Sequence, residues 1–196
     1  MGRTAEIKRT TKETDITARF SVDGSGKGEI DTGVGFFNHM LEGFTRHGFF
    51  DLALSCTGDL EVDCHHTIED CGLVLGRAIK EASGDKAGIV RFGSMILPMD
   101  DALILCAVDF SGRAYLNFDV SFTQEGCGDM ETAMAKEFFR AVSNEAGMNI
   151  HIVKLAGEND HHIMEAAFKA FAKALAAALQ KDPRIEGVLS TKESLS

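Results

Sequence analysis

One short pattern occurs twice in this chain, and it constrains the fold more than any other feature. Two adjacent histidines are followed after two residues by a glutamate, as His65-His66-x-x-Glu69 and again as His161-His162-x-x-Glu165. The copies stand 96 residues apart in a chain of 196. Each opens a stretch whose apolar residues recur at helical spacing, HHTIEDCGLVLGRAIKEASGDK and HHIMEAAFKAFAKALAAALQKD. The likeness extends upstream, where His39 and Glu137 hold matching positions 98 residues apart and Gly58 matches Gly157 at 99. Polar residues match as well as apolar ones, so two unrelated amphipathic helices are a poor explanation. The expected fold class is α+β, with internally duplicated half-domains, each a mostly antiparallel sheet with helices packed on one face. A single domain over 1–196 then consists of a first half at about 1–86, a second at 87–184, and a C-terminal tail, 185–196, that contributes to the site.

Periodicity fills in the elements. Ile16, Ala18, Phe20 and Val22 alternate as a half-buried strand that ends at the turn Asp23-Gly24-Ser25-Gly26. Phe36, Phe37, Met40, Leu41 and Phe44 recur at helical spacing, and Leu52, Leu54 and Cys56 alternate again. The second half shows strands at 102–109, 113–121 and 150–155, with helices expected at 130–145 and 162–180 and Pro183 beyond the last.

The repeated motif has the geometry of a metal chelate. On a helix, His65 and Glu69 share a face, as do His161 and Glu165, so each pair can hold one ion. The neighbouring histidines are rotated by about 100° and address a different ion. Two such helices brought together predict crossed ligation, with His65, Glu69 and His162 on one ion and His161, Glu165 and His66 on the other. His39 and Glu137 would each complete one of the two sites. Imidazole and carboxylate in an open octahedral set suit manganese, ferrous iron, cobalt or zinc. Two divalent ions against Glu69, Glu165 and Glu137 leave the site at about +1, suited to a neutral or anionic ligand. His47, two turns on from His39, is placed to border the site, whereas His151 alternates within a strand and reads as a packed side chain. Lys169 lies two turns beyond His161 on the same helix and points toward the metals.

Composition narrows the partners. Thirty acidic residues against 20 basic ones give a formal charge of −10, the wrong sign for a nonspecific nucleic-acid binder. Apolar runs are only a few residues long, far from the ~20 that span a bilayer. The opening MGRTAEIKRTTKETD is polar, so no secretory signal is expected, and its Met-Gly is not read as a lipidation signal. Five cysteines with no CxxC pair point to a reducing, cytoplasmic setting.

The segments RTTKETDI, GFFNHML, RHGFFDL, GDLEVDCHHTIEDCG, GIVRFG, PMDDAL, DFSGRAYL, LAGENDHHIMEAAFKAFAKAL and the terminal STK occur in this order over nearly the whole chain. In these motifs the sequence resembles the imidazoleglycerol-phosphate dehydratases of histidine biosynthesis. The resemblance implies a hydro-lyase with two manganese ions per active site. One ion would be held by His39, His66, His161 and Glu165, the other by His65, Glu69, His162 and Glu137. Many members carry histidine where this chain has Glu137, so the charge and metal preference of that second site depart from the family's. Milder departures are Asn38, Cys64 and Asp101. The implied reaction dehydrates imidazoleglycerol phosphate to imidazole-acetol phosphate through a metal-held imidazolate and a diazafulvene-like intermediate. Glu13 is the expected acid and base, with Glu69 and Glu165 the other carboxylates of the catalytic centre. Besides Glu13, the substrate is expected to lie against His39, His47, His65, His66 and His161. Its phosphate matches Arg91, Arg113, Lys169, Ser190, Thr191 and Lys192. The family also implies self-association into 24 subunits built from trimers, with sites at subunit interfaces. Two other readings of the same ligands are a dinuclear hydrolase of phosphate esters and a non-enzymatic metal-binding protein.

Overall fold

The alternation of Ile16, Ala18 and Phe20 becomes the fully buried face of a strand whose other residues, Asp15, Thr17 and Arg19, stand in solvent. A computed structural model describes residues 2–192 of the chain. In order along the chain these form β1 (Thr4–Thr10), β2 (Thr14–Ser21), β3 (Gly28–Asp31), α1 (Gly35–Gly48), β4 (Asp51–Gly58) and α2 (His65–Ser83). There follow β5 (Phe92–Met99), β6 (Ala102–Asp109), β7 (Tyr115–Asp119), β8 (Gly126–Cys127), β9 (Met130–Glu131), α3 (Met134–Ala146), β10 (Asn149–Ala156) and α4 (Asp160–Ala178).

The two halves repeat one topology. The first sheet has the order β1-β2-β4-β3 and the second β5-β6-β10-β7. In each, one outer pairing is parallel, β3 with β4 and β7 with β10, and the others are antiparallel. A bulge between Lys154 and Ala156 adds one residue to β10, which is why Gly58 and Gly157 are 99 apart while His39 and Glu137 are 98 apart. The helix ends match as well. Phe49 and Gly147 each close a helix in the left-handed region, at φ 56° and 67°. Gly147 adopts it without strain, whereas Phe49 bears a steric cost there.

Helices α1 and α2 lie on the first sheet and α3 and α4 on the second. The layers then meet helix to helix, α1 on α4 and α2 on α3. Phenylalanines fill the first junction. Phe44 stacks on Phe171 with ring centroids 5.7 Å apart, and Phe37 meets Phe168 edge-on at 6.5 Å. Glycine allows the second. A Cβ added at Gly72 would lie 2.8 Å from the carbonyl oxygen of Phe138, and one at Gly76 2.7 Å from that of Val142. Bare backbone on one face of α2 therefore lets α3 close down on it.

The outer faces of the sheets differ. The first presents Glu6, Arg19 and Glu29 in one cross-strand row. The second presents Ile96, Leu105 and Val153 in one row, where the first sheet's equivalent row is Lys8, Thr17 and Ser55, and Phe92 and Tyr115 are exposed on the same sheet. Among the described residues, no helix is long and apolar enough to cross a membrane.

Candidate active site

Both histidine pairs sit in the first turn of a long helix, where backbone amides lack helical partners. The carboxylate of Asp63 accepts from the His65 amide at 2.7 Å. The side chain of Asn159 accepts from the amides of His161 and His162 at 3.0 and 3.4 Å. These caps hold the starts of α2 and α4, so the imidazoles project from ordered backbone.

The packing of α1 on α4 brings His39 to His161 and Glu165, with one ligand atom from each residue within 4.8 Å of the others. His39 Nε2 is 3.8 Å and His161 Nε2 3.4 Å from the Glu165 carboxylate. Lys169, one turn further along α4, donates to the same carboxylate at 2.6 Å and to Met99 Sδ at 3.4 Å. Burial raises the Glu165 carboxyl toward its neutral form, but Lys169, then His39 and His161, reverse this and leave it below the usual range. A buried, ionised carboxylate beside two imidazoles is a competent donor set for a divalent transition metal. His47 stands close enough to sense Lys169 and Glu165, and burial first, then Lys169 and Lys173, favours its neutral form.

The second histidine of each pair turns to other acids. His66 Nδ1 meets Asp59 at 3.0 Å and its Nε2 lies 3.9 Å from Glu13, at the turn between β1 and β2. Asp59, then Glu13, raise the His66 pKa. His162 Nδ1 meets Asp101 at 2.7 Å and its Nε2 lies 3.5 Å from Asp100. Asp101 also accepts from the amides of Asn159 and Glu158, which together with His162 hold its carboxyl well below the usual range. A carboxylate on Nδ1 fixes the ring so that Nε2 faces outward.

Asp59, Asp100 and Asp101 are absent from the sequence-based set of site residues. A signal for one of them exists. Asp101 follows Glu13 by 88 residues, the offset that relates β2 to β6, so tracing the duplication into the first strands would have paired them.

His65 and Glu69 pair at 3.4 Å on α2, as their spacing requires. Glu137 lies on the packed helix α3, but its carboxylate accepts from Arg140 at 2.7 Å. Among the described residues only His39, His161 and Glu165 close into a three-ligand group. Within one protomer His66 and His162 join neither chelating pair, so the crossed sets expected from the sequence are not assembled by a single copy.

The phosphate candidates gather elsewhere. Arg91, Arg113, Ser190, Thr191 and Lys192 line one cleft of about 720 Å³. Arg91 forks onto Asp109 at 2.7 and 3.1 Å and donates to the Leu189 carbonyl, which ties the tail to β6. Lys169 is not among the residues of this cleft and stands instead with Glu165. The tail expected to contribute to the site runs on past the described residues at 193–196.

Comparison with known proteins adds an independent line. The family model for imidazoleglycerol-phosphate dehydratase matches residues 32–175. The imidazoleglycerol-phosphate dehydratase of Lachnoclostridium phytofermentans is 59% identical over 98% of both chains. That of Acetivibrio thermocellus is 56% identical over the whole of both. The crystal structure of the Staphylococcus aureus enzyme superposes with a TM-score of 0.83 at 41% identity, covering 91% of this chain and 99% of the other.

Proposed function

The chain belongs to the imidazoleglycerol-phosphate dehydratase family and is a hydro-lyase, and from that premise we propose that it dehydrates imidazoleglycerol phosphate to imidazole-acetol phosphate with two divalent metal ions, manganese first among them, at each active site. The observation that carries the metal reading is the convergence of His39, His161 and Glu165 from two helices, in a chain that repeats the HHxxE chelate. His39, His66, His161 and Glu165 would hold one ion; His65, Glu69, His162 and Glu137 would hold the other. When bound, the ions supply the positive charge that keeps a coordinated imidazole ring deprotonated and electron-rich.

The chain's own groups do the rest. The hydroxyl leaves as hydroxide from the substrate carbon attached to the ring, giving a diazafulvene-like intermediate, and becomes water with the proton that Glu13 takes from the neighbouring carbon. Glu13, exposed at its hairpin tip and facing His66, removes the proton from the neighbouring carbon. The resulting enol tautomerises to the ketone. Arg91, Arg113, Ser190, Thr191 and Lys192 suit the phosphate, arginine by forked hydrogen bonds and lysine by its charge. Glu13→Gln is expected to keep its metal content and lose turnover by about 10²-fold or more, the usual contribution of a general acid or base. Loss of metal in that variant, read by elemental analysis, would remove Glu13 from this role.

The separation of the three-ligand group from the phosphate cleft supports sites shared between copies, as does the apolar outer face of the second sheet. The assembly proposed is a homo-oligomer of 24 subunits, in a reducing cytoplasm that suits five buried, unbonded cysteines. Removing metal with a chelator is then expected to reduce the particle to smaller oligomers. An unchanged elution volume on sizing would sink the shared-site reading.

The decisive assay combines metal analysis with turnover of imidazoleglycerol phosphate. Ketone formation without release of inorganic phosphate is expected. Phosphate release would point to ester hydrolysis instead.

A further inference from the structure

The two halves depart from each other in one place. Asp31 and Asp119, which close equivalent strands, are 88 residues apart, whereas His39 and Glu137 are 98 apart. The second half therefore carries about ten additional residues between β7 and α3, and they include the β8–β9 hairpin. This insertion leads into α3, yet its polar contacts go to the other helix pair.

At one end, the Asp129 carboxylate accepts from the amides of Gly35 and Phe36 at 2.6 and 2.8 Å. These belong to the first turn of α1, and the residue in the N-cap position, Val34, has no side-chain acceptor to offer them. At the other end, the fully buried Asp160 opens α4 and accepts from the amides of Thr123 and Gln124 at 2.8 and 2.7 Å, and from the Thr123 hydroxyl at 3.0 Å. Between them, Gly128 lies against Phe36, where an added Cβ would stand 3.2 Å from the Phe36 Cβ. The Phe36 ring meets His161 edge-on with centroids 5.1 Å apart. The insertion thus grips the starts of the two helices that carry His39, His161 and Glu165. The α2–α3 pair has no counterpart among the described residues, since α2 is capped locally by Asp63 and α3 begins without a side-chain cap. Among the described residues, only the braced pair closes a three-ligand group.

We propose that Asp129 is a positioning residue for the His39–His161–Glu165 group, fixing the start of α1 against the start of α4 so that His39 is held at ligand distance from the two side chains on α4. The inference rests on the metal reading above. It makes this group the preorganised one and gives the ion held there the tighter binding. Asp129 touches none of the three ligands; it acts through the backbone of α1.

The test withdraws manganese from the loaded protein with graded chelator, following free Mn(II) by electron paramagnetic resonance. The parent chain is compared with Asp129→Ala and Asp129→Asn. In the parent, one equivalent per chain should be withdrawn well after the other. In Asp129→Ala, that late equivalent should leave at tenfold or more lower chelator strength, while the early one moves less than twofold. Asp129→Asn keeps one acceptor oxygen for two amides and should fall between. At saturating manganese, kcat should recover toward the parent value while the manganese requirement stays displaced, a split that general loss of stability would not produce. Equal release in parent and variants, or both equivalents weakened together, would overturn the assignment of Asp129. A parent chain that binds no manganese would overturn the metal reading and this inference with it. If Asp129→Ala does not fold, Asp129→Asn decides between the same outcomes.

Discussion

Glu165→Gln is expected to abolish turnover and release bound metal together. The glutamine keeps the shape of the side chain, so the helix has no reason to rearrange. It removes a negative charge that is nearly buried, 3.4 Å from His161 Nε2 and 3.8 Å from His39 Nε2. It also leaves Lys169 without the carboxylate that it meets at 2.6 Å. A cation would then stand unpaired beside a site meant to gather more positive charge. Loss of a ligand together with that repulsion should cost on the order of 10³-fold in turnover, about 4 kcal/mol at 1.36 kcal/mol per tenfold. Elemental analysis of the purified variant should show metal lost alongside activity. Full metal content with full turnover would remove Glu165 from the site.

The second large effect falls on stability. Gly93→Ala places a methyl group 1.9 Å from the carbonyl oxygen of Ala174 and 2.8 Å from the amide nitrogen of Ala178. Both are backbone atoms of α4, so no rotamer relieves the clash and β5 must separate from the helix. Overpacking of this kind costs about 3 kcal/mol or more, a fall in Tm of roughly 10 °C for a chain of this size. Because α4 also carries His161 and Glu165, metal affinity should fall with it. Gly43→Ala supplies the contrast, since nothing lies within 4 Å of the added Cβ on α1. Relief of glycine's helix penalty should make that change neutral or slightly stabilising. Equal melting temperatures for the two variants would refute the packing argument.

Elements with a clean period were legible in the sequence. The strand at Ile16–Phe20 and the two long helices opened by the HH pairs stand close to where their patterns place them. Elements with a broken period were not. In β5 the solvent side carries Phe92, Ile96 and Pro98, so polar and apolar residues do not alternate, and Pro98 is admitted because this strand lies at the sheet edge. In β1 the inward Arg9 is paired with Asp70 and disguises a half-buried strand as a charged loop. Met130 and Glu131 belong to a hairpin strand rather than to the helix expected from 130, because the Thr132 amide returns to the carbonyl of Glu125.

The site divides in the same way. Helical spacing sufficed for His65 with Glu69 and for His161 with Glu165, and the duplication supplied His39. Loop acids carry no period, so Asp59 and Asp100 appear only once the chain is folded, and Asp101 is reached only through the duplication. The brace from Asp129 to α1 is less legible still, because it joins residues 94 apart through a backbone amide that has no sequence signature.

The contact between the chain's beginning and the end of its last helix has a topological consequence. Arg3 donates to the Leu179 carbonyl at 2.5 Å across a separation of 176 residues, so the start of β1 lies beside the close of α4. In the other half the chain itself connects the corresponding points, running from α2 to β5 through residues 84–91. The protein is in effect a closed ring of two like segments, opened at one of two equivalent joints. Which segment is translated first is then a matter of where the gene is cut, and a circular permutant beginning near β5 preserves every strand pairing described here.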